Sequence, residues 1–179
     1  MKPIERKMLA ELLRNSRRSD RELAKAIGAS QPTATRIRSK LEKEGYVKEY
    51  TAIPHFSKIG YTILAVTFMK LDPKLTLEEF EKFRENHQPQ ISKRNYGVIL
   101  AKRGMGIGFD AVIISLHESY TAYDEFRHYL QRNMSQYMSN MDVFLCNLEE
   151  KSNLEFTFSL LANQILSSIE AKKEQAEQA

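Results

Sequence analysis

The chain has 179 residues, 42% of them hydrophobic and 28% charged. That balance fits one or two small cored domains and excludes a disordered polymer. A single cysteine, Cys146, excludes an internal disulfide and a Cys-rich zinc site, and no apolar run approaches the roughly 18 residues that cross a bilayer. The opening residues, Met1 to Lys7, carry mixed charge and lack the apolar stretch of a secretory signal. Together these features predict a soluble cytoplasmic protein with no membrane partner. The net charge of +4 is unevenly spread. Residues 1–50 hold 13 Lys and Arg against 7 Asp and Glu, a charge of +6, and residues 51–179 carry −2. A basic head on a near-neutral body points to a polyanionic partner.

Helical spacing is clear in the first fifty residues. Ile4, Met8 and Leu12, with Leu9 and Leu13, form one apolar face of a first helix that begins at Pro3. Ser19 followed by Glu22 is a capping box that opens a second, short helix. Leu23, Ala24 and Ile27 are its inward side, and Gly28 ends it. Ser30 caps a third helix, with Pro32 in its first turn and Gly45 at its end. The segment Tyr46–Ile53 then alternates like a strand. Three short helices with a tight turn before the third, then a strand, form the winged helix-turn-helix pattern.

The third helix is built for a major groove. Ala34, Ile37 and Leu41 face inward, while Thr35, Arg36, Ser39 and Lys43 lie opposite, with Gln31 and Lys40 on the flanks. Arginine, amide and hydroxyl groups reach base edges, and helix caps with nearby cations hold phosphates. Arg36 is the expected base contact, assisted by Gln31, Thr33, Thr35 and Ser39. Arg17, Arg18 and Lys40, with the Ser30 cap, are the expected phosphate contacts, and Arg38 and Lys43 are further candidates. The plainer alternative is a trihelical protein-interaction module with a solvated basic face.

The run Asp20–Ser30, then Arg36-Ile37-Arg38 and Leu41 to Val47, resembles the DNA-binding domain of the Lrp/AsnC, or feast/famine, regulators. The following Tyr50-Thr51-Ala52-Ile53-Pro54, Ile59-Gly60-Tyr61 and Leu71-Asp72-Pro73 resemble the segment that joins that head to an effector domain. Generic winged-helix chains share the helices but not this linker.

The pattern changes after Gly60. Tyr61–Leu71 is apolar on both alternations, as a strand covered on both faces should be. Thr76 and Glu79 form a second capping box, and Leu77, Phe80 and Phe83 extend a helix to about Asn86. Tyr96–Arg103 and Phe109–Leu116 read as strands joined through Gly104–Gly108. Tyr123, Phe126, Leu130, Met134 and Tyr137 mark a helix, and Met141–Leu148 a last strand. The order β-α-β-β-α-β predicts an α+β chain whose second part is ferredoxin-like. That arrangement leaves one sheet face bare and apolar, which predicts a homodimer or higher homo-oligomer through the sheets.

The same order resembles the ligand-sensing domain of the Lrp/AsnC family, and Gly108-Phe109-Asp110 is similar to its Gly-x-Tyr-Asp signature. The resemblance implies a small-molecule effector near Gly106, Gly108 and Asp110. Read from the residues alone, these glycines turn a hairpin and the aspartate bonds local backbone.

Residues 152–179 extend past the family's usual length. Leu154, Phe158, Leu161, Ile165 and Ile169 recur at helical spacing, and the pattern fades after Glu170. This stripe is expected to pack on its own domain or on a partner subunit. The four histidines show no ligand spacing, Cys146 sits among apolar neighbours, and Gly104–Gly108 lacks the Lys-Ser/Thr of a phosphate loop. No metal, cofactor or catalytic group is expected, and the chain reads as a non-enzyme. The expected domains are a winged helix-turn-helix at 1–52, a linker at 53–60, a ferredoxin-like domain at 61–151 and a helical extension at 152–179. The function read from all this is a transcription regulator that binds double-stranded DNA at pseudo-palindromic sites. Two alternatives stay open: a DNA-coating protein without sequence preference, and an Lrp-like scaffold recruited to small-molecule binding or catalysis.

Overall fold

The computed structural model describes residues 1–76, 78, 79, 81, 82, 85, 96–151, 154 and 156–177. The chain divides into two compact units, one formed by Met1–Ile53 with Asn153–Ala179 and the other by Pro54–Ser152.

The first unit holds α1 (Pro3–Arg14), α2 (Asp20–Ile27) and α3 (Gln31–Lys43), and from the far end of the chain α5 (Ser159–Glu177). Each start follows from local chemistry. The Lys2 N–H donates to Glu5 Oε2 at 2.6 Å, the Ser19 N–H donates to Glu22 Oε2 at 2.8 Å, and the Thr33 N–H donates to the Ser30 hydroxyl at 3.4 Å. Gly28 ends α2 with φ at 71°, a left-handed conformation that favours glycine. Met8, Leu12, Leu23, Ala24, Ile27, Ala34, Ile37 and Leu41 make the core of the three N-terminal helices.

Tyr46–Ile53 is not a strand. The N–H groups of Tyr46 and Val47 both donate to the Leu41 carbonyl, and Val47 packs against the head's core. Those bonds finish α3, and no second strand lies alongside among the described residues to form a wing. The alternation in the sequence reflects one anchored valine and outward tyrosines, not a pleat.

The C-terminal stripe is also corrected. Helix α5 starts only at Ser159, and its inward side holds Ala162, fully buried, and Ile169. Leu154, Phe158 and Leu161 are exposed. The helix packs along α1, where Arg14 Nη2 donates to Asn163 Oδ1 at 2.8 Å. The tail is therefore a fourth helix of the head unit.

The second unit contains β1 (Ile63–Leu71), β2 (Val98–Gly106), β3 (Phe109–His117), α4 (Tyr120–Met134) and β4 (Met138–Asn147). The four strands form one antiparallel sheet in the order β2-β3-β1-β4. This is the predicted ferredoxin-like topology, with β1 and β3 in the centre. Thr76 and Glu79 form the expected capping box, but Leu77, Phe80, Phe83 and Asn86 lie outside the described residues. Strand β2 runs through Gly104 to Gly106, so the connection is shorter than expected: a two-residue turn at Ile107 and Gly108, with φ of 44° and 83°. Gly97 is required by space, because a Cβ there would sit 2.2 Å from the Leu116 carbonyl oxygen.

Met69, Ala111 and Ile113 pack under Phe126, Tyr129, Leu130 and Met134 of α4. Alternation turns Val66, Phe68, Val112 and Ile114 to the opposite face, along with Leu100 and the 62% exposed Phe144. Cys146 is on that face too, half-buried opposite Leu64.

His117 is buried beneath α4. Its Nε2 lies 2.8 Å from the Ser115 hydroxyl, and its ring meets Tyr123 edge-on and lies against Phe126. Burial pushes its pKa from 6.5 down to about 4. Between those values the unfolded chain binds more protons than the folded one. The neutral histidine's contribution is therefore complete above pH 6.5 and lost as pH falls toward 4, a change on the order of 3 kcal/mol. Urea unfolding of the sheet unit should show about 2 kcal/mol less stability at pH 5 than at pH 7 from this group. His117→Gln, which keeps a neutral partner for Ser115, should lose markedly less over that interval. Equal losses in both proteins would remove His117 as the cause.

Candidate nucleic-acid interface

The interface is organised around α3. Ala34, Ile37 and Leu41 anchor it to the core, which turns Arg36, Ser39 and Lys43 outward. All three are exposed. Both flanks of the helix are pinned by acidic residues from the two preceding helices.

On one flank, Lys40 Nζ donates to Glu5 Oε1 at 2.7 Å, and Glu44 Oε1 lies 3.8 Å from the same nitrogen. The hydrogen bond from Lys40, reinforced by the Lys2 N–H, holds the Glu5 carboxyl below the usual carboxylate range. The same bond raises the pKa of Lys40. On the other flank, Thr35 donates its hydroxyl proton to Asp20 Oδ2 at 2.6 Å, and Arg38 Nη1 lies 2.7 Å from Asp20 Oδ1. Arg38 also lies 3.6 Å from Glu42 Oε1, which accepts the Tyr50 hydroxyl proton at 2.7 Å. Partial burial, with the hydrogen bond to the Glu42 carboxylate, pushes Tyr50 up to about 12, so its phenol stays protonated.

The sequence-predicted residues thus fall into two groups. Gln31, Arg36 and Ser39 are exposed on α3, and Arg36 has no ion-pair partner among the described residues. Ser30 and Thr33 share a hydroxyl contact of 2.9 Å at the start of α3. Arg17 is exposed in the turn before α2, where its N–H donates to Asn15 Oδ1 at 3.0 Å. By contrast, Lys40 and Thr35 are held by Glu5 and Asp20, and Arg18 pairs with Glu11. Their expected DNA contacts compete with these internal bonds. The capping and periodicity signals say nothing about such pairs, because Glu5 and Lys40 are 35 residues apart.

The other candidate residues lie in the second unit. Gly106 ends β2 and Gly108 is the second residue of the β2–β3 turn. Asp110 is occupied. Its Oδ2 accepts the Leu71 N–H at 3.1 Å, and Lys70 Nζ lies 3.2 Å away. The pairing of β1 with β3 ends at Met69 and Ala111, and Asp110 supplies the acceptor for the Leu71 amide just beyond it. Among the described residues, no three His, Cys, Asp or Glu side chains are grouped to hold a metal ion, and no helix is long and apolar enough to cross a membrane.

Residues 1–48 match a family profile described as winged helix-turn-helix DNA-binding. An uncharacterized HTH-type transcriptional regulator of Pyrococcus horikoshii is 33% identical over 79 residues, 44% of this chain and 53% of that protein. A leucine-responsive regulatory protein of Rhizobium meliloti is 35% identical over 68 residues, 38% of this chain and 44% of that protein. The chain spans less than two thirds of the length of the curated relatives it matches. Solved structures cover more. An AsnC family transcriptional regulator from Agrobacterium tumefaciens superposes with a TM-score of 0.69 at 18% identity, over 88% of this chain and 94% of that one. A Neisseria meningitidis transcriptional regulator in complex with L-Met gives 0.70 at 19% identity, over 93% and 99%. Residues 1–48 are thus a helix-turn-helix DNA-binding domain, and the chain has the fold of the Lrp/AsnC transcription regulators.

Proposed function

We propose that this protein is a transcription regulator that binds double-stranded DNA with sequence preference, placing α3 of each of two subunits in successive turns of the major groove. One observation carries the reading: the outward side of α3 presents Arg36, Ser39 and Lys43 without an acidic residue between them, while internal ion pairs fix both of its flanks. Side chains that read bases must be held in register, and a helix locked to its neighbours holds them.

Dimerisation belongs to the same reading. The sheet face carrying Val66, Phe68, Val112, Ile114 and Phe144 is apolar along its centre, with Lys102 and Asp142 on the edge strands, and a second copy of the sheet would cover it. Two heads about one helical turn apart would then require a two-fold site. Modulation by an amino acid or another small metabolite is supported by the likeness to the L-Met-bound regulator. In this reading Asp110 serves the end of β1, and any ligand is held by other groups near the Gly106–Gly108 turn. Acting on DNA places the protein in the cytoplasm, and no chemical reaction is assigned to it.

The test is selection of sheared genomic DNA by the purified protein at near-physiological salt, followed by sequencing. The expected result is a small set of fragments that share a two-fold half-site. Broad recovery without a motif, collapsing as salt is added, would replace this reading with charge-driven coating. No recovery would leave the head as a scaffold.

A further inference from the structure

Asp20 is the first residue of α2, yet its side chain works on α3. It is 16% exposed, its Oδ2 accepts the Thr35 hydroxyl proton at 2.6 Å, and its Oδ1 lies 2.7 Å from Arg38 Nη1. Thr35, Arg38 and Glu42 follow one another at helical spacing along one side of α3, and Glu42 closes the row by holding both Arg38 and Tyr50. The row therefore contains two carboxylates and one guanidinium on the border of the surface proposed to meet DNA. A phosphate approaching that border finds Arg38 already bridged and meets a local charge of −1 within a head of +6.

We propose that Asp20 is a positioning and specificity-determining residue: it locks Thr35 and Arg38 in place on α3 and withholds the arginine from sequence-independent phosphate contact. The inference rests on the DNA-binding reading above. Its physical basis is that sequence-independent affinity follows the number of phosphates neutralised, whereas discrimination follows side chains fixed at base edges. An acid that bridges a recognition-helix arginine weakens the first and supports the second. Glu5 does the corresponding work for Lys40 on the opposite flank, but Glu44 is placed to share that lysine. Among the described residues, the Thr35 proton has no acceptor besides Asp20 except the Gln31 carbonyl of its own helix, at 3.1 Å.

The test is a salt titration of binding to a random-sequence duplex and to a duplex recovered by genomic selection, for the full-length wild type, Asp20→Asn and Thr35→Val. Asparagine keeps an acceptor for Thr35 and removes the charge. Asp20→Asn should bind the random duplex about 3- to 10-fold more tightly near 0.1 M salt, and its plot of log affinity against log salt should steepen by about one unit. Its ratio of selected to random affinity should fall by the same factor. Thr35→Val should weaken binding to the selected duplex and leave the salt slope unchanged. A purely structural role for Asp20 would lower the melting temperature and both affinities together without changing the slope, and that outcome overturns the proposal. So does an unchanged slope with unchanged affinities. A wild type that retains neither duplex removes the DNA-binding reading itself, and the proposal goes with it. That case is recognised from the wild type before any variant is compared.

Discussion

Arg36→Ala should reduce affinity for the selected duplex by about 5- to 150-fold, or about 1–3 kcal/mol, while leaving the fold intact. The size follows from chemistry. An arginine that makes two hydrogen bonds to guanine loses both when truncated, and no smaller side chain replaces that fork. The location follows from α3. Arg36 lies opposite the buried Ile37 and Leu41 side of the helix, between a flank held by Glu5 and one held by Asp20. It is exposed, so alanine costs no packing. Comparing the selected duplex with a random one by fluorescence anisotropy decides the role. A loss confined to the selected duplex assigns Arg36 to base reading. An equal loss on both assigns it to phosphate, and Ser39 with Gln31 would then have to carry the readout.

Ending the chain after Ser152 should destabilise the head and spare the sheet. Helix α5 buries Ala162 and Ile169 and partly buries Ile165 and Leu166, and Arg14 loses Asn163. At about 1.5–3 kcal/mol for each fully buried large aliphatic side chain, the helix contributes on the order of 4 kcal/mol to the unit it packs in. Hydrogen exchange is the suitable measurement, because a chain of two units need not unfold in one step. Protection of α1 amides should fall by up to about 1,000-fold, while β1 and β3 keep theirs. The milder variant Ala162→Asp, which sets a charge at a fully buried position, should shift α1 in the same direction. Unchanged protection in α1 would make the helix an appendage. The head would then stand on its own three-helix core of Met8, Leu23 and Leu41.

Much of the architecture was legible because local rules agreed with one another. The capping box of Ser19 and Glu22, the left-handed Gly28 and the inward trio Ala34, Ile37 and Leu41 each fix a feature within a few residues. The sheet's element order was legible for the same reason, since strand pattern and turn chemistry alternate cleanly from Ile63 to Asn147. Two local patterns misled. The alternation in Tyr46–Ile53 resembles a strand, but a strand needs a hydrogen-bonded neighbour, and here the backbone turns back to Leu41 instead. The run Leu154, Phe158, Leu161 keeps helical spacing, but the helix begins only at Ser159, and its start is turned away from α1.

The helix-turn-helix, the ferredoxin-like order and the outward set on α3 follow from the amino-acid pattern alone, because spacing and capping act over one or two helical turns. Which of the head's cations are engaged in ion pairs emerges only once the helices are packed together. Glu5 to Lys40, Asp20 to Arg38 and Glu11 to Arg18 are pairs between separate elements or across a turn, and no period in the chain announces them. Packing also decides where the last helix goes. An amphipathic stripe records that a face must be buried, but not against what, and α1 became its partner only when the two ends of the chain came together in one unit.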